Sequence, residues 1–196
     1  MTIMLENLSK KRQQWQGFKE NLKSSKYWLY ALVETLETIL VACFFALLIR
    51  HYIAQTSLVF SGSMIPTMKI NDRLVVNKLA YVFRTPNRGE IILFKSPHKD
   101  KKQYVKRLVG LPGETIAIKQ GIVYINGKQL IFPGVNLKRD YSSFGPEKIP
   151  PNCYFVLGDN RGNSADSRIW GYVPHDELIG KAVFTFWPLK NAQVLR

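Results

Sequence analysis

Cysteine is nearly absent from this 196-residue chain. The two present, Cys43 and Cys153, lie far apart, and Cys43 falls inside the most apolar stretch. A disulfide between them is not expected, and no CxxC spacing offers a metal or redox site. Histidine is scarce as well: His51 follows the apolar stretch, His98 sits in a charged segment and His175 follows a proline. A Ser-His-Asp triad therefore has no local support. The nucleophile elbow G-x-S-x-G is missing, its nearest approach being Gly162-Asn163-Ser164-Ala165-Asp166. Ser96-Pro97-His98-Lys99 matches S-x-x-K, but its partner motifs S-D-N and K-T-G do not occur. HExxH, P-loop and GxGxxG patterns are also missing. Neither a metal nor a cofactor is expected. There are no internal repeats and no low-complexity segments.

Basic charge, by contrast, is plentiful. The net charge is +14, of which +3 falls in residues 1–50 and +11 in residues 51–196. A basic domain of this kind suits nucleic acid, an anionic membrane surface or acidic partners. Residues 1–26 carry Lys10, Lys11, Arg12, Lys19, Lys23 and Lys26. Leu5, Leu8, Trp15 and Phe18 form a weak amphipathic turn or two, and the segment reads as flexible or interfacial.

Residues 27–49, YWLYALVETLETILVACFFALLI, are the longest apolar run. A spanning helix needs about 20 residues. Glu34 and Glu37 leave two readings: a buried amphipathic helix, or one transmembrane helix that keeps both glutamates near an interface. Trp28 and Tyr30 at one end and Tyr52 at the other suit interfacial belts, and Arg50 and His51 can snorkel, so the membrane reading is preferred. Six basic residues precede the run, which places the N-terminus in the cytoplasm and the rest of the chain outside it. A cleavable signal peptide has the same beginning. No small-x-small site comes after it, because the run exits into Arg50-His51-Tyr52-Ile53, so an uncleaved single-pass anchor over residues 27–50 fits better. That orientation removes nucleic acid as a partner for the basic domain and leaves membrane lipid.

From Ser57 onward the pattern changes to short β-type runs. These are Arg73–Val76, Glu90–Phe94, Tyr104–Val109, Thr115–Ile118, Ile122–Ile125, Tyr154–Leu157 and Ala182–Trp187. Gln120-Gly121 and Asn126-Gly127 are tight-turn signals, the second a strong hairpin signal. Lys95–Lys102 reads as a solvated loop. The expectation is a mainly β domain of coiled antiparallel sheet over residues 51–196, behind a single transmembrane helix.

Two segments stand out chemically. Ser61-Gly62-Ser63-Met64-Ile65-Pro66-Thr67-Met68 comes soon after the apolar run; it is either a Ser/Gly linker or a reactive loop in which glycine permits close approach of substrate. Gly158-Asp159-Asn160-Arg161-Gly162-Asn163-Ser164-Ala165-Asp166-Ser167-Arg168 is either a polar surface loop or a charge-paired site, since Asp159, Asp166, Arg161 and Arg168 can form charge-assisted pairs. A serine needs a base. Without a supported histidine the alternative is a lysine whose pKa burial has lowered. Lys106 lies in the run Gln103–Gly110 beside Arg107. Adjacent strand residues point to opposite faces, so one of the pair can face inward while the other meets solvent or a partner. Taken alone, Lys106 also reads as an exposed edge-strand lysine.

Taken together, these segments resemble the type I signal (leader) peptidases, a family of Ser-Lys dyad proteases. The resemblance covers roughly residues 55–190. Ser61–Met68 resembles the nucleophile box, Asp72–Lys78 and Arg88–Phe94 two neighbouring boxes, Val105–Glu114 the base box, and Gly158–Arg168 the final box almost residue for residue. Departures are Phe60 where proline is frequent, Met68 where leucine is usual, and Gly162 where some members carry an acid.

The resemblance implies a membrane-bound serine endopeptidase that cleaves signal peptides from exported preproteins. Ser63 would be the nucleophile and Lys106 the general base. The Ser61 hydroxyl and the Ser63 N–H would form the oxyanion hole, and Ser164 would hydrogen-bond and orient Lys106. Asp166 would pair with Arg168, while Asp159, Arg161 and Arg107 would be structural. Phe60, Met64 and Val105 would help line the substrate pockets. Leu58-Val59-Phe60 and the basic surface would rest on anionic lipid. The short interval between Leu130 and Cys153 leaves room for only a small accessory domain. A self-cleaving repressor is disfavoured by the apolar run, and a non-enzymatic tethered adaptor leaves the serine, lysine and final-box segments unexplained.

Overall fold

The computed structural model describes residues 2–96, 102–133, 135 and 140–195; within the first helix, side chains are described at 14–17 and from 26 onward. His98 and most of the expected Lys95–Lys102 loop lie outside these residues, as do the side chains of Leu5, Leu8 and Phe18. The chain divides into two compact units, Met1–Ile49 and Arg50–Arg196.

The first unit is one helix, α1, Thr2–Leu48. Residues 2–26, expected to be flexible or interfacial, are therefore helical, which corrects the flexible reading. The reason is local: the segment has no proline, a single glycine at Gly17, and many Lys, Gln, Glu and Leu residues, which favour helix. Through a π-helical turn at Ile49–Ile53 the helix leads into the second unit. The stretch Lys26–Ile53 has mean hydropathy 2.2 and is long and apolar enough to cross a membrane, and its apolar window is wholly unburied by protein.

The second unit is mainly β. Its strands are β1 (Ala54–Leu58), β2 (Arg73–Asn77), β3 (Ile91–Lys95), β4 (Gln103–Gly110), β5 (Thr115–Lys119), β6 (Ile122–Ile125), β7 (Lys128–Leu130), β8 (Phe144–Lys148), β9 (Cys153–Leu157), β10 (Val173–Pro174), β11 (Leu178–Trp187) and β12 (Gln193–Val194). A one-turn helix, α2, spans Ser167–Trp170. The larger sheet runs β1-β2-β11-β3-β4-β9-β10, with β12 paired to β11; the smaller runs β7-β6-β5-β8. Every pairing is antiparallel.

Burial matches strand periodicity. Central β3 is buried on both faces: Ile91 and Leu93 join one apolar cluster with Met64, Met68 and Val76, while Ile92 and Phe94 join another with Leu108, Tyr154 and Val156. Four consecutive buried apolar residues mark a strand covered on both sides. The smaller sheet closes over a third cluster containing Ile116, Ile118, Val123, Ile149 and Phe155. It is built by two successive two-residue hairpins. Gln120 and Gly121 take φ of 49° and 79° between the paired Lys119 and Ile122. Asn126 and Gly127 take 50° and 78° between Ile125 and Lys128. Positive φ at both central residues is what a tight hairpin requires, because it matches the right-handed strand twist.

Charge is also organised inside this unit. The Glu90 carboxylate accepts from Arg84, Lys181, the Tyr81 hydroxyl and the Asn87 N–H. Burial would raise its pKa, but these donors outweigh burial and hold it at about 2. It ties the start of β3 to β11 and to the turn at Lys78–Tyr81.

Candidate active site

The Ser61–Met68 segment forms a tight turn between β1 and β2. Gly62–Met64 is a single 3-10 turn, closed by Ile65 N–H to the Gly62 carbonyl at 3.2 Å and continued by Met68 N–H to the Met64 carbonyl at 2.9 Å. Met64 and Met68 are buried in the core and anchor the turn from below. Ser63 is buried, and its Oγ lies 3.1 Å from the Oγ of exposed Ser61.

The final box leaves β9 and folds against that turn. Asn160 N–H donates to the Ser63 carbonyl at 2.9 Å, and Asn160 Nδ2 donates to the Gly62 carbonyl at 3.0 Å. Gly158 sits at the tightest point: a Cβ there would stand 2.2 Å from Ser164 Oγ and 2.6 Å from the Ser63 carbonyl oxygen. Only a residue without a side chain lets the two segments meet. Ser164 Oγ is buried against Gly158 and has no hydrogen-bond partner. The bond to Lys106 implied by the resemblance is thus not formed in this structure.

Lys106 and Arg107 are both buried, at 2% and 7% exposure. Of the two alternatives for the second residue, solvent or a partner, Arg107 meets a partner. The cause is the neighbouring strand and loop: Arg107 Nε and Nη2 reach Asp159 Oδ1 and Oδ2 at 2.8 and 2.6 Å, and Nη1 reaches the Gly89 carbonyl at 2.7 Å. Lys106 forms no ion pair with a carboxylate among the described residues, and it is not hydrogen-bonded to Ser63. Burial lowers its pKa to about 8; Asp166 raises it, Arg168 lowers it and Asp159 raises it by smaller amounts.

The remaining charges form a scaffold. Arg168 holds Asp166 through two bonds, Nε to Oδ1 at 2.8 Å and Nη2 to Oδ2 at 2.9 Å. Asp166 also accepts the Gly158 N–H at 3.0 Å. Arg161 donates to the Gly158 carbonyl at 3.1 Å, and its pKa is lowered by burial, then by Arg168. Asp159 pairs with Arg107. Asp140, which the sequence does not single out, is buried and accepts from Arg168 at 3.0 Å. It sits in the interval before β8, far from the final box in sequence, so no local signal marks it. Asn160 and Gly158 were within reach of sequence reasoning, as parts of the final box.

Beside Ser63 lies a cavity of about 560 Å³, lined by Phe60, Ser61, Ser63, Met64, Tyr104 and Val105 among others. All three expected pocket residues line it. Phe60 is 80% exposed at its rim, whereas Val59 is buried in the core and so is unavailable to lipid. Along this cavity β4 pairs with β3 over Gln103–Arg107, but its pairing with β9 begins only at Arg107. β1 pairs with β2 alone. Among the described residues two open strand edges therefore flank the cavity, and Gln55 Nε2 donates across them to Gln103 Oε1 at 2.9 Å.

An apolar groove between open strand edges can seat an extended peptide beside the buried Ser63. The family described as signal peptidase, peptidase S26, matches residues 32–187, and the chain belongs to that family. It is 44% identical over 167 residues to signal peptidase I of Leptolyngbya laminosa, covering 82% of both chains. It is 41% identical over 164 residues to a probable signal peptidase I-2 of Synechocystis sp., covering 81% of this chain and 75% of that one. It is 39% identical over 182 residues to signal peptidase I T of Bacillus subtilis, covering 86% and 92%.

Proposed function

We propose that this chain is a membrane-bound endopeptidase that removes signal peptides from exported preproteins, with Ser63 as nucleophile and Lys106 as general base. One observation carries the reading. Lys106 is a buried lysine held near pKa 8, and its chain neighbour Val105 lines the same groove as Ser63. A lysine at about 8 is roughly one-tenth neutral at pH 7, enough to accept a proton, and close to the pH at which a base works best.

The substrate chain binds extended between the free edges of β1 and β4, adding a strand to the sheet. Alternate side chains then point into the groove beside Met64 and Val105, with Phe60 at its rim. Neutral Lys106 takes the Ser63 proton as Ser63 Oγ attacks the scissile carbonyl carbon. The oxyanion is held by the Ser61 hydroxyl and the Ser63 N–H. Lys106 next passes its proton to the leaving amine, and water attacks the acyl-enzyme with Lys106 again as base. Ser164 orients Lys106; its buried, unpartnered Oγ is free to make that bond as the site tightens around substrate. Asp159, Arg161, Asp166 and Arg168 hold the walls.

The chain organisation serves this chemistry: a basic cytoplasmic segment (1–26), a transmembrane anchor (27–50) and an extracytoplasmic catalytic domain (51–196). The six basic residues before the apolar run support that orientation. The basic charge of residues 51–196, together with exposed Phe60, supports contact with anionic lipid.

The test is cleavage of a preprotein by the purified full-length protein. Ser63→Ala and Lys106→Met each reduce cleavage to background while a cooperative melting transition shows both variants folded; full cleavage by either variant removes the dyad. Orientation is read by protease access to the catalytic domain in right-side-out against inverted membrane vesicles.

A further inference from the structure

Thr67 carries a contact that the catalytic reading leaves unused. Its Oγ1–H donates to Asp159 Oδ2 at 2.6 Å. Asp159 is only 1% exposed and already grips Arg107 through both carboxylate oxygens. Hydrogen bonds to a charged acceptor are about twice as strong as neutral ones, and a buried carboxylate that loses a donor has no water to replace it.

The connections form a continuous path. Thr67 lies four residues after Ser63, and the intervening chain is a compact turn held by the Ile65-to-Gly62 and Met68-to-Met64 backbone bonds. Arg107 is the residue after Lys106 on β4. The path from Ser63 through Thr67, Asp159 and Arg107 to Lys106 thus contains only short hydrogen bonds and rigid backbone. At the other end of the turn Asn160 pins the Gly62 and Ser63 carbonyls. Two consecutive residues, Asp159 and Asn160, therefore hold both ends of the serine turn, and one of them also holds the lysine strand.

We propose that Thr67 is a positioning residue of this site: its hydroxyl, acting through Asp159 and Arg107, locks the turn carrying Ser63 to the strand carrying Lys106. The inference rests on the Ser63–Lys106 reading above. Thr67 touches no substrate in this scheme. Its loss lets the serine turn drift relative to β4, and a displacement of about 1 Å remote from the chemistry can cost about 10²-fold in rate.

The experiment uses full-length protein, a preprotein substrate, and the variants Thr67→Val, which keeps the shape and removes the hydroxyl, and Thr67→Ser, which keeps the hydroxyl. Thr67→Val lowers kcat by about tenfold or more with KM within about twofold, and Thr67→Ser restores kcat to within about threefold of the parent. Melting curves confirm that each variant is folded at the assay temperature; if Thr67→Val does not fold, Thr67→Ala is judged by the same criterion. Unchanged kcat in the folded variant lacking the hydroxyl overturns the proposal. So does an equal loss in Thr67→Ser, or a loss confined to KM. Ser63→Ala run in parallel separates the two ideas: an active Ser63→Ala removes the dyad itself, whereas an inactive Ser63→Ala beside a fully active Thr67→Val removes only the lock.

Discussion

At the scale of single residues, the proposed chemistry turns on how Lys106 is kept available as a base. Among the described residues no carboxylate binds Lys106 in the interior of the sheet, and the cost of burying its charge lowers its pKa from 10.5 to about 8. Two consequences share that cause. The rate constant kcat/KM rises about tenfold per pH unit below 8 and levels off above it; a profile flat from pH 6 to 9 with the same substrate counts against a lysine base. The second concerns stability. A lysine whose folded pKa is depressed binds fewer protons folded than unfolded between pH 8 and 10.5, so stability climbs across that window. Below pH 8 the full penalty applies, roughly 3 kcal/mol at 1.36 kcal/mol per pKa unit. Lys106→Met is accordingly expected to melt higher than the parent at pH 7, with the gap closing as pH rises above 8. Thermal denaturation at pH 7 and pH 10 checks this.

At the scale of elements, the site is assembled where the loop after β9 meets the turn after β1. Gly158 is the residue that permits it. Gly158→Ala places a Cβ 2.6 Å from the Ser63 carbonyl oxygen, and the backbone on one side must yield. The expected result is a loss of activity of about 10²-fold with a far smaller change in overall secondary structure, read by circular dichroism and cleavage kinetics on the same sample. Activity within a factor of three of the parent would show that the two segments tolerate separation. The strands themselves were largely legible in advance, because Val- and Ile-rich runs such as Ile122–Ile125 and Thr115–Lys119 bury alternate residues. The strands that were not legible are polar or very short: Ala54–Leu58, Lys128–Leu130, Phe144–Lys148, Val173–Pro174 and Gln193–Val194. Most stand at sheet edges, where pairing with one neighbour rather than side-chain burial decides that the chain is extended. Gly127 and Gly121 announced their hairpins through local backbone preference alone.

At the scale of the whole molecule, a helical unit and a β unit are joined at Ile49–Arg50. All three apolar clusters draw only on the second unit. Deleting residues 1–49 is therefore expected to leave a folded catalytic unit whose melting temperature in detergent stays within a few degrees of the parent's. It should also keep its kcat on a soluble peptide. On a preprotein inserted in vesicles the truncated form loses the advantage of sharing a surface with its substrate, a factor of about 10² or more. Unfolding of the truncated chain would mean that the helix contributes to the core, and equal rates on vesicles would mean that tethering has no role.

The linear chain by itself determined the apolar run, the β character of residues beyond it and the family boxes. These are written in local composition and spacing, which survive without a fold. Tertiary structure alone decided that Arg107 is buried against Asp159, that Val59 points into the core, and that Asp140 reaches Arg168. It also decided that Thr67 donates to the Asp159 carboxylate that holds Arg107. The physical reason is the same in each case. Which charge is paired and which is not depends on groups tens of residues apart that meet only when the sheet is formed. The scarcity of a usable histidine pointed to a lysine base, but only the folded interior, by burying Lys106, lowers its pKa.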